Sequence, residues 1–175
     1  MNKRIFSAIL VPFMLFVYAV CAMLFFCGCD NSAASRPLTR DEYKAALSVA
    51  WDEFCGGTND YLRACNAAGE DFDKYRASAD QLQAACDRTV RGLKGFAEIV
   101  PPEEFEEMHK KLLKAAEDEK RWSSYREQSF KTDSREESDR ILDKLAQEID
   151  DMPLEDLLSD IVLKLYNELG GFGSR

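Results

Sequence analysis

The chain has 175 residues, 46% of them hydrophobic and 31% charged, and its 23 Lys and Arg against 32 Asp and Glu give a formal net charge of −9. That acidic balance argues against electrostatic binding to nucleic acid or to anionic lipid surfaces. All 32 acidic residues follow Cys29, and the chain beyond that point has the length of one ordinary domain, too short for two well-cored ones.

The chain opens with Met1-Asn-Lys-Arg4, a short basic start, and then carries no charge from Ile5 to Phe26. Cys27-Gly28-Cys29-Asp30 follows. A basic start, an apolar run and a small residue are the parts of a secretory signal. The run is also long enough to cross a bilayer as an uncleaved helix. Under either reading Lys3 and Arg4 stay in the cytoplasm, because positive flanks resist translocation, and the bulk of the chain lies outside.

Phe26-Cys27-Gly28-Cys29 resembles the lipobox of bacterial lipoproteins, in which a Cys after a small residue is diacylglycerylated and becomes the N-terminus. Phe26 stands where that family commonly has Leu, and Cys27 where it has Ala or Ser. The resemblance implies a signal peptide over residues 1–28, lipid on Cys29, a small polar tether over 29–38 and a folded domain over 39–175. It also implies a protein fixed to the cell membrane on its extracytoplasmic side by palmitate-type acyl chains, two of which make a stable anchor. Asp30 resembles the inner-membrane retention signal of Gram-negative lipoproteins.

From Leu38 onward helical spacing dominates, and no stretch sustains a period of two. Thr39 followed by Glu42 is a capping box, and it predicts a first helix over 40–69. Its seam is Tyr43, Leu47, Ala50, Phe54, Tyr61, Cys65 and Ala68, with a local break or kink expected at Gly56-Gly57, where two glycines cost about 2 kcal/mol relative to alanine. A second seam, Phe72, Tyr75, Ala79, Leu82, Cys86, Thr89, Leu93, Phe96 and Val100, predicts a helix over 71–99.

Pro101-Pro102 ends the second helix, and Pro102 suits the first position of a third over 102–130. Asp133 or Ser134 caps a fourth over 134–169, which Pro153 kinks or splits and Gly170-Gly171 stops. The expected fold is all-α: an antiparallel up-down bundle of about four long helices. Such coiled-coil-like seams serve an intramolecular bundle or an intermolecular pair equally well.

Three of the six cysteines, Cys55, Cys65 and Cys86, fall in the domain. If the first hairpin turns between Glu70 and Asp71, Cys55 and Cys86 lie level, and a bridge between them would contribute on the order of 3–4 kcal/mol. The alternative is three buried thiols. No C-x-x-C occurs in the domain, so neither a zinc site nor a thioredoxin-like site is indicated.

The single histidine, His109, shares a face with Phe105, Leu112 and Ala116 and reads as packed. Its surroundings, VPPEEFEEMHKKLLKAA, resemble small helical lipoproteins of uncharacterised function. Trp51, Trp122, Tyr125 and Phe130 are candidates for an aromatic pocket, although aromatics at helical spacing more often form core. From Asp133 to Asp160 eleven acidic residues face three basic ones. That segment is a solvated face, a docking face for a basic partner, or a loose cation site.

No catalytic motif, metal set or cofactor fingerprint emerges. The expectation is a non-enzymatic envelope protein acting through protein contacts, with a small-ligand or cation-binding lipoprotein, perhaps serving a transporter, as the alternative.

Overall fold

The computed structural model describes residues 36–171, so the apolar run Ile5–Phe26 and the lipidation site Cys29 lie outside the described residues. Of the described residues 83% are helical and none is in a strand. Six α-helices pack together: α1 (Arg40–Ala68), α2 (Phe72–Ala77), α3 (Ala79–Ala97), α4 (Glu106–Lys131), α5 (Arg135–Asp150) and α6 (Leu158–Glu168). Short 3-10 turns at Glu103–Phe105 and Leu154–Asp156 precede α4 and α6. No described helix is long and apolar enough to cross a membrane.

The helix ends follow from their caps. At the start of α1 the Glu42 carboxylate accepts from Thr39 N–H at 2.8 Å, and Thr39 Oγ1 accepts from Glu42 N–H at 3.4 Å. Gly69 ends α1 at φ 60°, a left-handed conformation that costs a glycine little. Ser134 caps α5 through Glu137 N–H. Pro153 splits the fourth segment, as its missing donor and fixed φ require.

Two expectations are corrected. The helix expected over 71–99 is interrupted at Ser78, which sits at φ −88°, ψ 9° between α2 and α3. Its hydroxyl donates to the Lys74 carbonyl at 3.0 Å, the back-bonding by which serine competes with the helical ladder. Conversely, α1 runs unbroken through Gly56-Gly57.

The reason is contact between helices. A Cβ on Gly57 would lie 2.4 Å from Thr89 N and 2.8 Å from Ala85 O; one on Gly92 would lie 2.4 Å from Phe54 N. The glycines are therefore where the α1 and α3 backbones touch. The two helices run antiparallel, as the tie from Leu38 N–H to Val100 O at 3.1 Å also requires. On the outer side Arg88 lies across Gly56, its Nε on Glu53 at 3.1 Å and its Nη1 on Asp60 at 2.9 Å. Both carboxyls are held below their ordinary range, chiefly by their hydrogen bonds to Arg88.

Two apolar clusters form the core. The larger joins Tyr43, Leu47, Phe96 and Leu112 to Leu158, Leu165 and Tyr166 of α6. The smaller joins Tyr61, Leu82, Ala85, Cys86 and Phe130, with Cys65 and Tyr75 against it. Along α4 the stretch between their contributions is polar apart from the buried Trp122. There burial raises the Glu119 carboxyl while Arg126, 3.8 Å away, opposes the shift. The C-terminal carbonyls of α6 receive Arg40 (Nη2 to Glu168 O, 2.6 Å) and Lys44 (Nζ to Leu169 O, 3.4 Å) from the first turns of α1.

Candidate functional site

Because α2 is a short helix turned back after Gly69, it leaves a hollow between the end of α1 and the start of α5. The cavity is about 290 Å³, near the lower limit of small-molecule sites. Its apolar walls are Tyr61, Cys65, Phe72, Tyr75 and Leu142, and its rim carries Glu70, Asp71, Arg135 and Asp139.

The tyrosines are fixed by a relay. Tyr61 Oη lies 3.0 Å from Tyr75 Oη, which lies 2.7 Å from Ser129 Oγ, and Ser129 donates onward to the Arg126 carbonyl at 2.7 Å. Burial raises both tyrosine hydroxyls, so they remain neutral and act as dipoles. At the rim, Asp71 accepts from the amides of Asp73 and Lys74 and pairs with the Lys74 ammonium at 3.5 Å. Arg135 donates to the Glu70 carbonyl at 3.2 Å and approaches Asp139 at 3.7 Å.

A second hollow lies where α4 faces the Pro153 elbow. It measures about 490 Å³ and is lined by Lys114, Ala115, Arg121, Met152 and Pro153 among others. A neighbouring hollow of about 330 Å³ shares Lys111, Asp156 and Ile161 with it. Arg121 bridges Asp118 at 2.9 Å and Glu148 at 3.1 Å across this groove. Charges of both signs alternate along it, so it has no single electrostatic preference. A third cavity of about 60 Å³, lined by Thr58, Leu62, Cys86, Thr89 and Ser123 among others, is too small for a ligand.

His109 is 3% exposed. Its Nδ1 stands 3.1 Å from the Tyr43 hydroxyl, while Nε2 faces the end of α3 without closing a hydrogen bond. Burial pushes its pKa down; the Phe96 and Ile99 carbonyls pull weakly the other way. The histidine is thus a neutral core group, with Tyr43 stacked on Phe105 beside it.

The three domain cysteines are free thiols, and no Cys55–Cys86 bridge is formed. The α1–α3 contacts set a different register from one counted outward from Glu70-Asp71. With Gly57 against Ala85 and Thr89, and Gly92 against Ala50 and Phe54, Cys86 lies level with Thr58. That displaces it from Cys55 by about 4.5 Å along the axis, and Cys55 lies about 200° around α1 from Gly57, on the side away from α3. Cys55 packs on the larger cluster and Cys86 within the smaller. Burial pushes the Cys86 thiol up to about 11.

The four aromatics read as a possible pocket do not converge. Trp122 and Phe130 are core, Trp51 stacks on Phe54, and Tyr125 donates to Glu148 at 2.9 Å. The hollow is built instead from Tyr61, Phe72 and Tyr75, which sequence spacing assigned to seams. Among the described residues no three His, Cys, Asp or Glu side chains gather to hold a metal ion, the acidic segment from Asp133 included. Comparisons with protein families, with curated proteins and with solved structures find no match to this chain.

Proposed function

We propose that this protein is a lipid-anchored, extracytoplasmic helical bundle whose work is binding rather than catalysis. Its address rests on Phe26-Cys27-Gly28-Cys29 after a charge-free run, with Cys29 carrying the lipid and residues 30–38 forming the tether. Topologically, α2 and α3 act as one interrupted helix and α5 and α6 as one split helix. With α1 and α4 they make an up-down bundle of four. The membrane is thus one partner, through the lipid on Cys29.

The observation that carries the binding reading is the hollow of about 290 Å³ walled by Tyr61, Phe72 and Tyr75. Few convergent polar groups on an apolar floor is the usual anatomy of a small-ligand site. A second reading, contact with an envelope protein, is favoured by the elbow, where Leu154 is 78% exposed beside the groove along α4. Metabolic labelling with an alkyne palmitate tests the anchor: label on the native protein and none on Cys29→Ala is expected, whereas label on both variants would remove the assignment to Cys29. Ligand-dependent rises in Tm that vanish in Tyr75→Ala would support the binding reading. Rises of equal size in both forms would refute this pocket as the site.

A further inference from the structure

The walls of the hollow at the α1–α2–α5 corner carry π faces, and its rim carries more negative than positive charge. Three rings, Tyr61, Phe72 and Tyr75, line it together with the polarizable Cys65 thiol. Two of these rings already receive cations from the protein: the Arg126 guanidinium lies 5.8 Å from the Tyr61 centroid, and that of Arg76 lies 6.0 Å from Phe72. Of the rim charges, Asp71 is paired with Lys74, and Asp139 is approached by Arg135. The Glu70 carboxylate has no ion-pair partner among the described residues, so the mouth retains one uncompensated negative charge.

Hydrogen bonding decides which cation suits this hollow. The Tyr61, Tyr75 and Ser129 hydroxyls are satisfied by one another and by the Arg126 carbonyl. A primary ammonium would give up three hydrogen bonds to water and find its acceptors at the rim, among Glu70, Asp71, Ser138 and Asp139, rather than against the aromatic walls. An alkylated ammonium has none to lose. It presents a diffuse charge and an apolar surface, the chemistry that aromatic walls beside a carboxylate recognise.

We propose that the hollow binds a small quaternary or heavily alkylated ammonium group, held by cation–π contact with Phe72 and Tyr75 and by the Glu70 carboxylate. This deepens the ligand-binding reading and rests on it. The group can be borne by a free solute or by a lipid headgroup, and the two sources share this chemistry.

The test uses the full chain in a detergent lacking choline headgroups. Choline is titrated by calorimetry beside 3,3-dimethylbutanol, its uncharged isostere. Choline is expected to bind about tenfold more tightly than the isostere, and Tyr75→Leu to remove that advantage. Glu70→Gln, an exposed change that leaves the fold intact, is expected to weaken choline about threefold and the isostere not at all. Equal affinity for choline and isostere would overturn the cation inference and leave the ligand-binding reading standing. Absence of choline binding would overturn the cation inference, whereas the ligand-binding reading falls only on the comparison of Tm rises in the native protein and Tyr75→Ala. Choline-headgroup vesicles that displace free choline, where phosphoglycerol vesicles do not, identify the headgroup as the source; vesicles without effect identify the free solute.

Discussion

Gly57 and Gly92 give the strongest single test of the packing account. Substitution of either by alanine improves intrinsic helix propensity by about 1 kcal/mol, so a solvent-facing site would gain stability. Here the new methyl would meet the facing backbone, Thr89 N at 2.4 Å for Gly57 and Phe54 N at 2.4 Å for Gly92. Backbone cannot swing aside as a side chain can, so α1 and α3 must separate by about 1 Å along the crossing, and overpacking of this kind costs about 1–3 kcal/mol or more. We expect a net loss of about 2 kcal/mol for each variant, or on the order of 6–10 °C in Tm.

Gly95→Ala is the internal control. Its Cβ would meet only the Ala50 methyl, at 3.1 Å, and the few tenths of an ångström required are offset by the propensity gain. Equilibrium denaturation of the three variants, compared at equal m-value, reads the difference directly. If Gly92→Ala matched or exceeded the native protein, or if Gly95→Ala were as damaging as Gly92→Ala, the close crossing of α1 and α3 would be refuted.

Further outcomes follow from the buried groups. His109 is held neutral by burial, so its contribution is complete above its unfolded pKa near 6.5 and is lost as pH falls through its lower folded value. The slope of stability between neutral and mildly acid pH should therefore flatten in His109→Phe, and an unchanged slope would exclude His109 as its source. Tyr75→Phe removes the middle hydroxyl of the relay from Tyr61 to Ser129 and should cost about 1–2 kcal/mol in chemical denaturation. A neutral effect would show the relay to be incidental. In the native protein, alkylation at pH 8 should modify Cys86 far more slowly than Cys55 or Cys65, because it is the most buried and least ionised of the three. All three should react in denaturant without prior reduction, and a requirement for reduction would reveal a bridge.

What could be read from the sequence was local. Thr39 with Glu42, Ser134, Pro153 and Gly170-Gly171 each act through the backbone of their own neighbourhood, so caps, the split and the last stop could be placed. Ser78 has no comparable signature, since serine tolerates a helix interior and breaks it only where its hydroxyl finds the Lys74 carbonyl.

The glycine pair is illegible in the sequence for a different reason. Gly56-Gly57 reads as a weak point within one helix, whereas its role lies between helices. The available clue was the seven-residue spacing of Ala50, Gly57 and Ala64 on α1, answered by Ala85 and Gly92 on α3. That pattern also fixes the register, and with it the mismatch of Cys55 and Cys86. The aromatic hollow was hidden because Phe72 and Tyr75 keep core spacing; only the break at Ser78 turns α2 so that they line a cavity.

The central claim, a binding domain held to the membrane by lipid on Cys29, is tested most directly by the intact mass of the detergent-extracted protein. The account predicts the mass of Cys29–Arg175 plus acyl chains, with the excess mass mapped to the Cys29 peptide. The unmodified mass of Met1–Arg175 would contradict it and make the first segment a retained apolar anchor.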